Sequence, residues 1–184
     1  MKRKSRRYAI PTSERLAKVA LAYLARYAAS EAALRRVLEN RLRRAAMHDT
    51  AFASDHVAQK KLRETITNII ERHTKNGVLN DKAFTETKLN SLRRAGRSRR
   101  AIEQKLAQAG ISKNIVRTAF EGEESEEVEL TAARKLARRK KLGAFRSGKT
   151  APDQRRKDLA VLARAGFSLA IARMALDTAS ETTV

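Results

Sequence analysis

Three groups of residues in this sequence have types and spacings that could do chemistry. Gly143-Ala144-Phe145-Arg146-Ser147-Gly148-Lys149-Thr150 matches the phosphate-loop pattern G-x(4)-G-K-[S/T] letter for letter. A working loop of that kind follows a buried strand and opens a helix whose first amides cradle the phosphates. Here the eight residues from Arg134 to Lys141, one residue ahead of the loop, include six Arg or Lys, which no central strand tolerates. No apolar run ending in Asp follows to hold magnesium. The segment is therefore read as a loop between helices, and nucleotide hydrolysis is the weakest of the functional readings. The second group, His48, His56 and His73, lacks helical metal spacing. His48 and His56 could gather with Asp49 and Asp55 in a loop, but no Ser–His–Asp grouping or metal site is expected. The expectation is a non-enzyme without cofactor or metal.

The third group is the arginines. Arg35, Arg36, Arg41, Arg43 and Arg44 form one cluster, and Arg93, Arg94, Arg97, Arg99 and Arg100 a second. Arg134, Lys135, Arg138, Arg139, Lys140 and Lys141 form a third. Guanidinium groups grip phosphates and carboxylates bidentately, so these residues are the candidate binding set. A bland alternative is a solvated helix surface, which usually mixes Lys with Glu. Within each cluster base outnumbers acid, and the whole chain carries 41 Lys and Arg against 20 Asp and Glu, a net charge of +21. Such a charge calls for a polyanion to offset its self-repulsion. Nucleic acid comes first and an anionic membrane surface second. Aromatic residues make up only 4% of the chain and Trp is absent, so stacking of bases on aromatic platforms is not expected. The run Glu121–Glu129 holds six Glu. It reads as a solvated linker plus a helix's first turn, or as an acidic surface that shields the Arg clusters or meets a basic partner.

Cysteine is absent, so disulfides, thiolate chemistry and Cys-based zinc sites are excluded. Lys18 and Arg26 interrupt the first Ala/Leu stretch, leaving no signal-peptide core and no membrane span. A cytoplasmic setting is expected.

Helices must position these cations. Only Pro11 and Pro152 break the chain, and apolar residues recur at three- and four-residue spacing. The pattern predicts about nine helices and no sheet, over 13–28, 30–45, 56–76, 81–95, 98–109, 112–120, 126–142, 152–165 and 168–178. Ser13, Ser30, Asp55, Ser98, Ser112, Asp153 and Ser168 are the predicted N-caps. Gly77, Gly96, Gly110 and Gly166 are the predicted stops.

An internal repeat organises them. With Ser30, Ser98 and Ser168 aligned, 68 and 70 residues apart, the preceding helix places Leu21, Leu89 and Leu159 in register. Leu24, Leu92 and Leu162 also align, as do Arg26, Arg94 and Arg164. Leu38, Leu106 and Leu176 match on the following helix, and Ile66 matches Leu136 one helix earlier. Tandem units of this kind stack neighbour on neighbour into an elongated, curved array. The reading is all-α: a basic segment at 1–12, then repeats over 13–76, 77–122 and 123–180. A helix–turn–helix reading, each unit placing its second helix in a major groove, is the competitor.

At these residues the chain resembles the RecX family, regulators of the bacterial RecA recombinase. Gly77-Val78-Leu79-Asn80-Asp81 with Phe84 is similar to the family's Gly-Tyr-Leu-Asp-Asp turn and downstream Phe. Gly96, Ile102, Leu106, Gly110 and Ile111 match its central block, and Leu162 with Arg164, Gly166 and Phe167 its C-terminal segment. Val78, Asn80 and Ala165 depart from the pattern. The resemblance spans about Glu14 to Asp177. It implies three three-helix units, no catalytic residues, and binding in the groove of the RecA–single-stranded-DNA filament, with contacts to recombinase and DNA. It also implies modulation of recombination, ATP hydrolysis and co-protease activity. A monomer that binds single-stranded DNA follows as the expectation, with duplex DNA as a second ligand. The alternative is a stand-alone DNA- or RNA-binding, nucleoid-associated helical protein.

Overall fold

Most of the apolar runs open on a side-chain oxygen that accepts from free first-turn amides, and four of them close on a glycine, at Gly77, Gly96, Gly110 and Gly166. The computed structural model describes residues 9–121, 125–147 and 153–177, and among them it has ten α-helices and no strand. They are α1 (Ser13–Leu24), α2 (Glu31–His48), α3 (Thr50–Ser54), α4 (His56–Lys75) and α5 (Asp81–Arg94). After them come α6 (Arg99–Gln108), α7 (Lys113–Ala119), α8 (Glu126–Lys140), α9 (Gln154–Arg164) and α10 (Leu169–Asp177). A 3-10 turn, Gly143–Phe145, follows α8. None of the described helices is long and apolar enough to cross a membrane.

Nine of the ten were expected. The tenth, α3, is five residues long, with buried Phe52 as its anchor. Its N-cap is Asp49, which accepts from Phe52 N–H at 3.0 Å, and Asp55 caps α4 in the same way from Ala58 N–H at 2.8 Å. Of the two acids considered as loop ligands, Asp55 is the cap expected of it and Asp49 is a cap that was not expected. Ser30, Ser98, Ser112 and Ser168 cap as expected. Thr12, not Ser13, caps α1, accepting from Arg15 N–H at 3.2 Å, and Asp153 makes no capping bond. Pro152 lies outside the described residues.

Helix α1 also ends four residues early, and the repeat explains why. Gly96 and Gly166 turn the chain at φ +69° and +93° after α5 and α9. Their counterpart in the first copy is Ala28, which cannot enter that region without cost. The chain accordingly leaves the helix at Leu24 and reaches Ser30 without such a turn. Lys141 takes the left-handed position after α8, at φ +53°, with no glycine to ease it.

The chain forms two compact units, Met1–Phe84 and Thr85–Val184. In the first, α1, α2 and α4 pack around Leu16, Ala20, Leu34, Leu38, Ile66 and Ile70, with Leu79 closing the core. In the second, α8 and α10 pack closely through Ala133, Ala137, Ala172 and Ala175, and Leu136, Leu162, Phe167 and Leu176 fill the remaining space. Small residues let these two axes approach. Leu89, Ile102, Leu106, Ile111 and Phe120 are buried in the helices preceding α8. The repeat register holds in the cores: Leu38, Leu106 and Leu176 are at most 2% exposed. Arg26, Arg94 and Arg164 all lie outside. Leu21 breaks the register, being 59% exposed where Leu89 is buried.

Candidate nucleic-acid interface

The inward face of α8 carries Leu130, Ala133, Leu136 and Ala137, and this phase turns Lys135, Arg138 and Arg139 outward. Lys140 and Lys141 are exposed beyond them. Arg134 is half-buried, with its Nε closed off and lacking a hydrogen-bond partner. Arg138 stands 5.4 Å from the Phe145 ring centroid, and Arg139 donates to the Ala95 carbonyl at 2.9 Å. This last bond ties the third cluster to the turn that follows α5, which the second cluster spans.

The two clusters meet in a cleft of about 630 Å³ between α5 and α8. Asn90 and Arg94, one turn apart on α5, line it, together with Glu127, Thr131 and Lys135 of α8. Thr131, Arg134, Lys135, Arg138 and Arg139 line a second depression along α8. Arg97 and Arg100 are exposed nearby in sequence.

Two members of the second cluster are held internally. Arg93, with 12% of its side chain exposed, donates to Glu129 at 2.8 Å. Glu129 also accepts from the Arg99 amide at 3.0 and 3.2 Å, acting as an added cap on α6. The Arg93 and Arg99 guanidinium groups lie 5.5 and 4.7 Å from the Phe120 ring centroid, and Arg99 also pairs with Glu103 at 2.9 Å. Such contacts orient a cation and reduce what it can offer a ligand. The acidic run thus does two things. Glu129 shields Arg93, while Glu126 and Glu127 sit exposed in the first turn of α8, where acids favour the helix dipole. Glu123 and Glu124 lie outside the described residues.

In the other unit, the first cluster runs along α2. Arg35 donates to Thr67 Oγ1 at 3.1 Å, while Arg36, Arg41, Arg43 and Arg44 are exposed. Arg43 lines a groove with Gln59 and Arg63 of α4. Arg63 was not a sequence candidate, and neither were Asn90 and Thr131. Their signal was helical phase alone, since Asn90 and Thr131 each stand four residues before a candidate cation.

The phosphate-loop look-alike uses its amide on the protein itself. Gly143 N–H donates to Asp158 Oδ2 at 2.8 Å. Arg146 Nη2 reaches the same carboxylate at 2.8 and 3.1 Å, and Gln154 Nε2 reaches it at 2.8 Å. Helix α8 precedes the segment where a phosphate loop needs a strand. Gly148, Lys149 and Thr150 lie outside the described residues. Nor do the described residues include a cluster of His, Cys, Asp or Glu able to hold a metal.

Fold and surface together define an all-α helical-repeat protein with segregated cationic faces. Comparison with known proteins gives the class a name. Residues 80–119 match the family model described as RecX, second three-helix domain. The regulatory protein RecX of Myxococcus xanthus is 38% identical over 164 residues, covering 89% of this chain and 84% of the relative. That of Thermobifida fusca is 37% identical over 111 residues, covering 59% and 58%. The crystal structure of RecX from Lactobacillus salivarius superposes with a TM-score of 0.64 at 19% identity, covering 89% of this chain and 93% of that one, a likeness of fold. The chain belongs to the RecX family of regulatory proteins.

Proposed function

We propose that this protein regulates the RecA recombinase by lying in the groove of the RecA–single-stranded-DNA filament. There it contacts both protein and DNA and modulates recombination, ATP hydrolysis and co-protease activity. Family membership supports the recombinase as target. The observation that carries the interface is the run of exposed cations on α8 and its C-cap, Lys135, Arg138, Arg139, Lys140 and Lys141, of which Lys135 shares a cleft with Arg94. Phosphates of the strand and carboxylates of the recombinase are the complementary groups. Arg36, Arg43 and Arg44 supply a second contact surface, and Arg97 and Arg100 extend the first. The protein acts in the cytoplasm as a monomer, without catalysis, cofactor or membrane, as three successive repeats over 13–76, 77–122 and 123–180.

The test is stoichiometric addition of the purified protein to RecA on single-stranded DNA. Altered ATP hydrolysis and strand exchange, with tighter binding to the filament than to bare DNA, is the expected result. Unchanged RecA activity with tight, salt-dependent binding to bare DNA would instead make this a stand-alone nucleic-acid-binding protein.

A further inference from the structure

We infer that the cleft between α5 and α8 holds one nucleotide of a single strand and reads the amino group of its base. The phosphate lies at the Arg94 and Lys135 end and the base edge toward Glu127 and Asn90. This inference rests on the reading of single-stranded DNA as a ligand and adds selectivity to it.

The cleft differs in charge from end to end. Lys135 is an exposed cation at one end, and Arg94, also exposed, stands two residues before Gly96, where an added Cβ would lie 3.1 Å from Lys135 Cβ; Glu127 is an exposed carboxylate eight residues before Lys135 on the same helix. Eight residues of helix rise about 12 Å, long enough for phosphate, sugar and base laid out in order. Its volume, about 630 Å³, is that of a small-molecule cleft. Half-buried Val128 and buried Ala132 supply apolar surface for a base face, and the Asn90 amide and Thr131 hydroxyl add polar groups beside it.

A carboxylate beside a phosphate-binding surface needs a reason, because it repels the backbone. Helix-dipole stabilisation explains an acid in the first turn of α8 but not its place in the cleft. Glu126 occupies the same turn and does not line it. A carboxylate accepts hydrogen bonds only, so it selects base edges that donate. The exocyclic amino groups of cytosine, adenine and guanine donate, and an Asn amide complements such edges by both donating and accepting. In the same pose thymine and uracil put the O4 carbonyl where cytosine has its amino group, and keep only the ring N3–H as a donor. Glu127 therefore also sets the direction in which a nucleotide enters: phosphate away from it, base toward it.

The experiment compares fluorescein-labelled oligo-dC and oligo-dU of equal length by anisotropy at fixed salt. These strands differ at the base edge by amino against carbonyl. The wild-type chain should bind dC about tenfold more tightly, the scale of one good base contact. Glu127→Gln should abolish the preference, because its amide can both donate and accept, while retaining dU binding. The double variant Arg94→Ala/Lys135→Ala should weaken both strands alike and flatten the salt dependence by about 0.7 per lost phosphate contact. Equal affinity for dC and dU, or a preference that survives Glu127→Gln, overturns the inference and leaves DNA binding standing. Free dCMP competing as well, per nucleotide, as the dC strand would reassign the cleft to free nucleotides and overturn the strand. Failure to bind either strand, bare or coated with RecA, would remove the underlying reading itself.

Discussion

Ser98 Oγ donates to the Ala165 carbonyl at 2.6 Å, and the same oxygen accepts from Ala101 N–H at 3.2 Å. Ser98 thus caps its own helix and fastens the turn of one repeat to the equivalent turn of the next. The neighbouring amide repeats the theme. Arg99 N–H is taken by Glu129 of α8, as Glu31 N–H, one residue after Ser30, is taken by Asp81 of α5 at 3.0 Å. In both places the helix that follows the serine is capped by an acid from the first turn of a later helix.

Ser98→Ala should therefore cost more than the loss of a cap. The cap alone is worth about 1 kcal/mol, and an unpaired buried carbonyl adds about 1–3 kcal/mol. Ser168, which caps α10 in the same way, has no such bond to a neighbouring turn among the described residues. Urea unfolding followed by circular dichroism should place Ser98→Ala about 2–4 kcal/mol below wild type and Ser168→Ala about 1 kcal/mol below. Equal losses would mean the latch contributes nothing.

Two glycines separate backbone strain from crowding. At Gly77, φ is +71° and an added Cβ would meet nothing within 4 Å, so Gly77→Ala should cost about 1–2 kcal/mol from the left-handed backbone alone. At Gly166, φ is +93° and a Cβ would lie 2.6 Å from Ser98 Oγ. Gly166→Ala should exceed Gly77→Ala by at least about 1 kcal/mol. In the double variant Gly166→Ala/Ser98→Ala the obstructing oxygen is gone, so the two losses should sum to less than their separate values. Strict additivity would break the link between the two turns.

These relations show which parts of the fold the sequence discloses. Caps and stops are local, so Ser30, Ser98, Ser112 and the glycine turns were legible from residue type. Helix α3 was not, because five residues carry no periodicity and only the burial of Phe52 holds them in place. The candidate cations were legible as clusters, but their engagement was not. Glu129 lies 36 residues from Arg93 in sequence, and only the fold, which sets the turn after α5 against α8, brings them together. The cleft shares this origin, since phase assigns Asn90 to the face of Arg94 without saying which helix faces them.

Two carboxylates should give opposite pH dependences. Asp158 is 1% exposed; burial pushes its pKa up, but the Gly143 amide, Gln154 and Arg146 together outweigh burial and hold it below the ordinary carboxyl value. Its contribution is fully present above the unfolded value of about 3.9 and is lost as pH falls through the lower folded value. Asp158→Asn should thus be less stable at pH 7, with the deficit shrinking below about pH 4. Asp81 goes the other way: burial raises its pKa, opposed by the Glu31 amide and reinforced by the Glu31 carboxylate. Its ionised form is disfavoured in the fold, so stability linked to it rises as pH falls. Asp81→Asn keeps an acceptor for Glu31 N–H and should equal or exceed wild type at pH 7, an advantage that narrows on acidification. Denaturation midpoints measured from pH 3 to 7 check both signs.

Within the second arginine cluster, binding and stability should separate. Arg97 and Arg100 are exposed, and truncating both to Ala should shift stability by no more than about 0.5 kcal/mol per site. If they contact phosphates in the filament, the log–log salt dependence should become shallower by about 0.7 for each contact removed. Arg93 is different: its guanidinium is pinned between Glu129 and Phe120, and Arg93→Ala strands a half-buried carboxylate. That variant should lose about 2 kcal/mol of stability, the scale of a charged hydrogen bond. Its salt dependence should stay close to wild type. Filament-binding titrations at several salt concentrations, beside urea unfolding of the same variants, decide the matter. A salt slope that falls for Arg93→Ala and not for the Arg97/Arg100 pair would reverse the assignment, making the pinned arginine the DNA contact and the exposed pair bystanders.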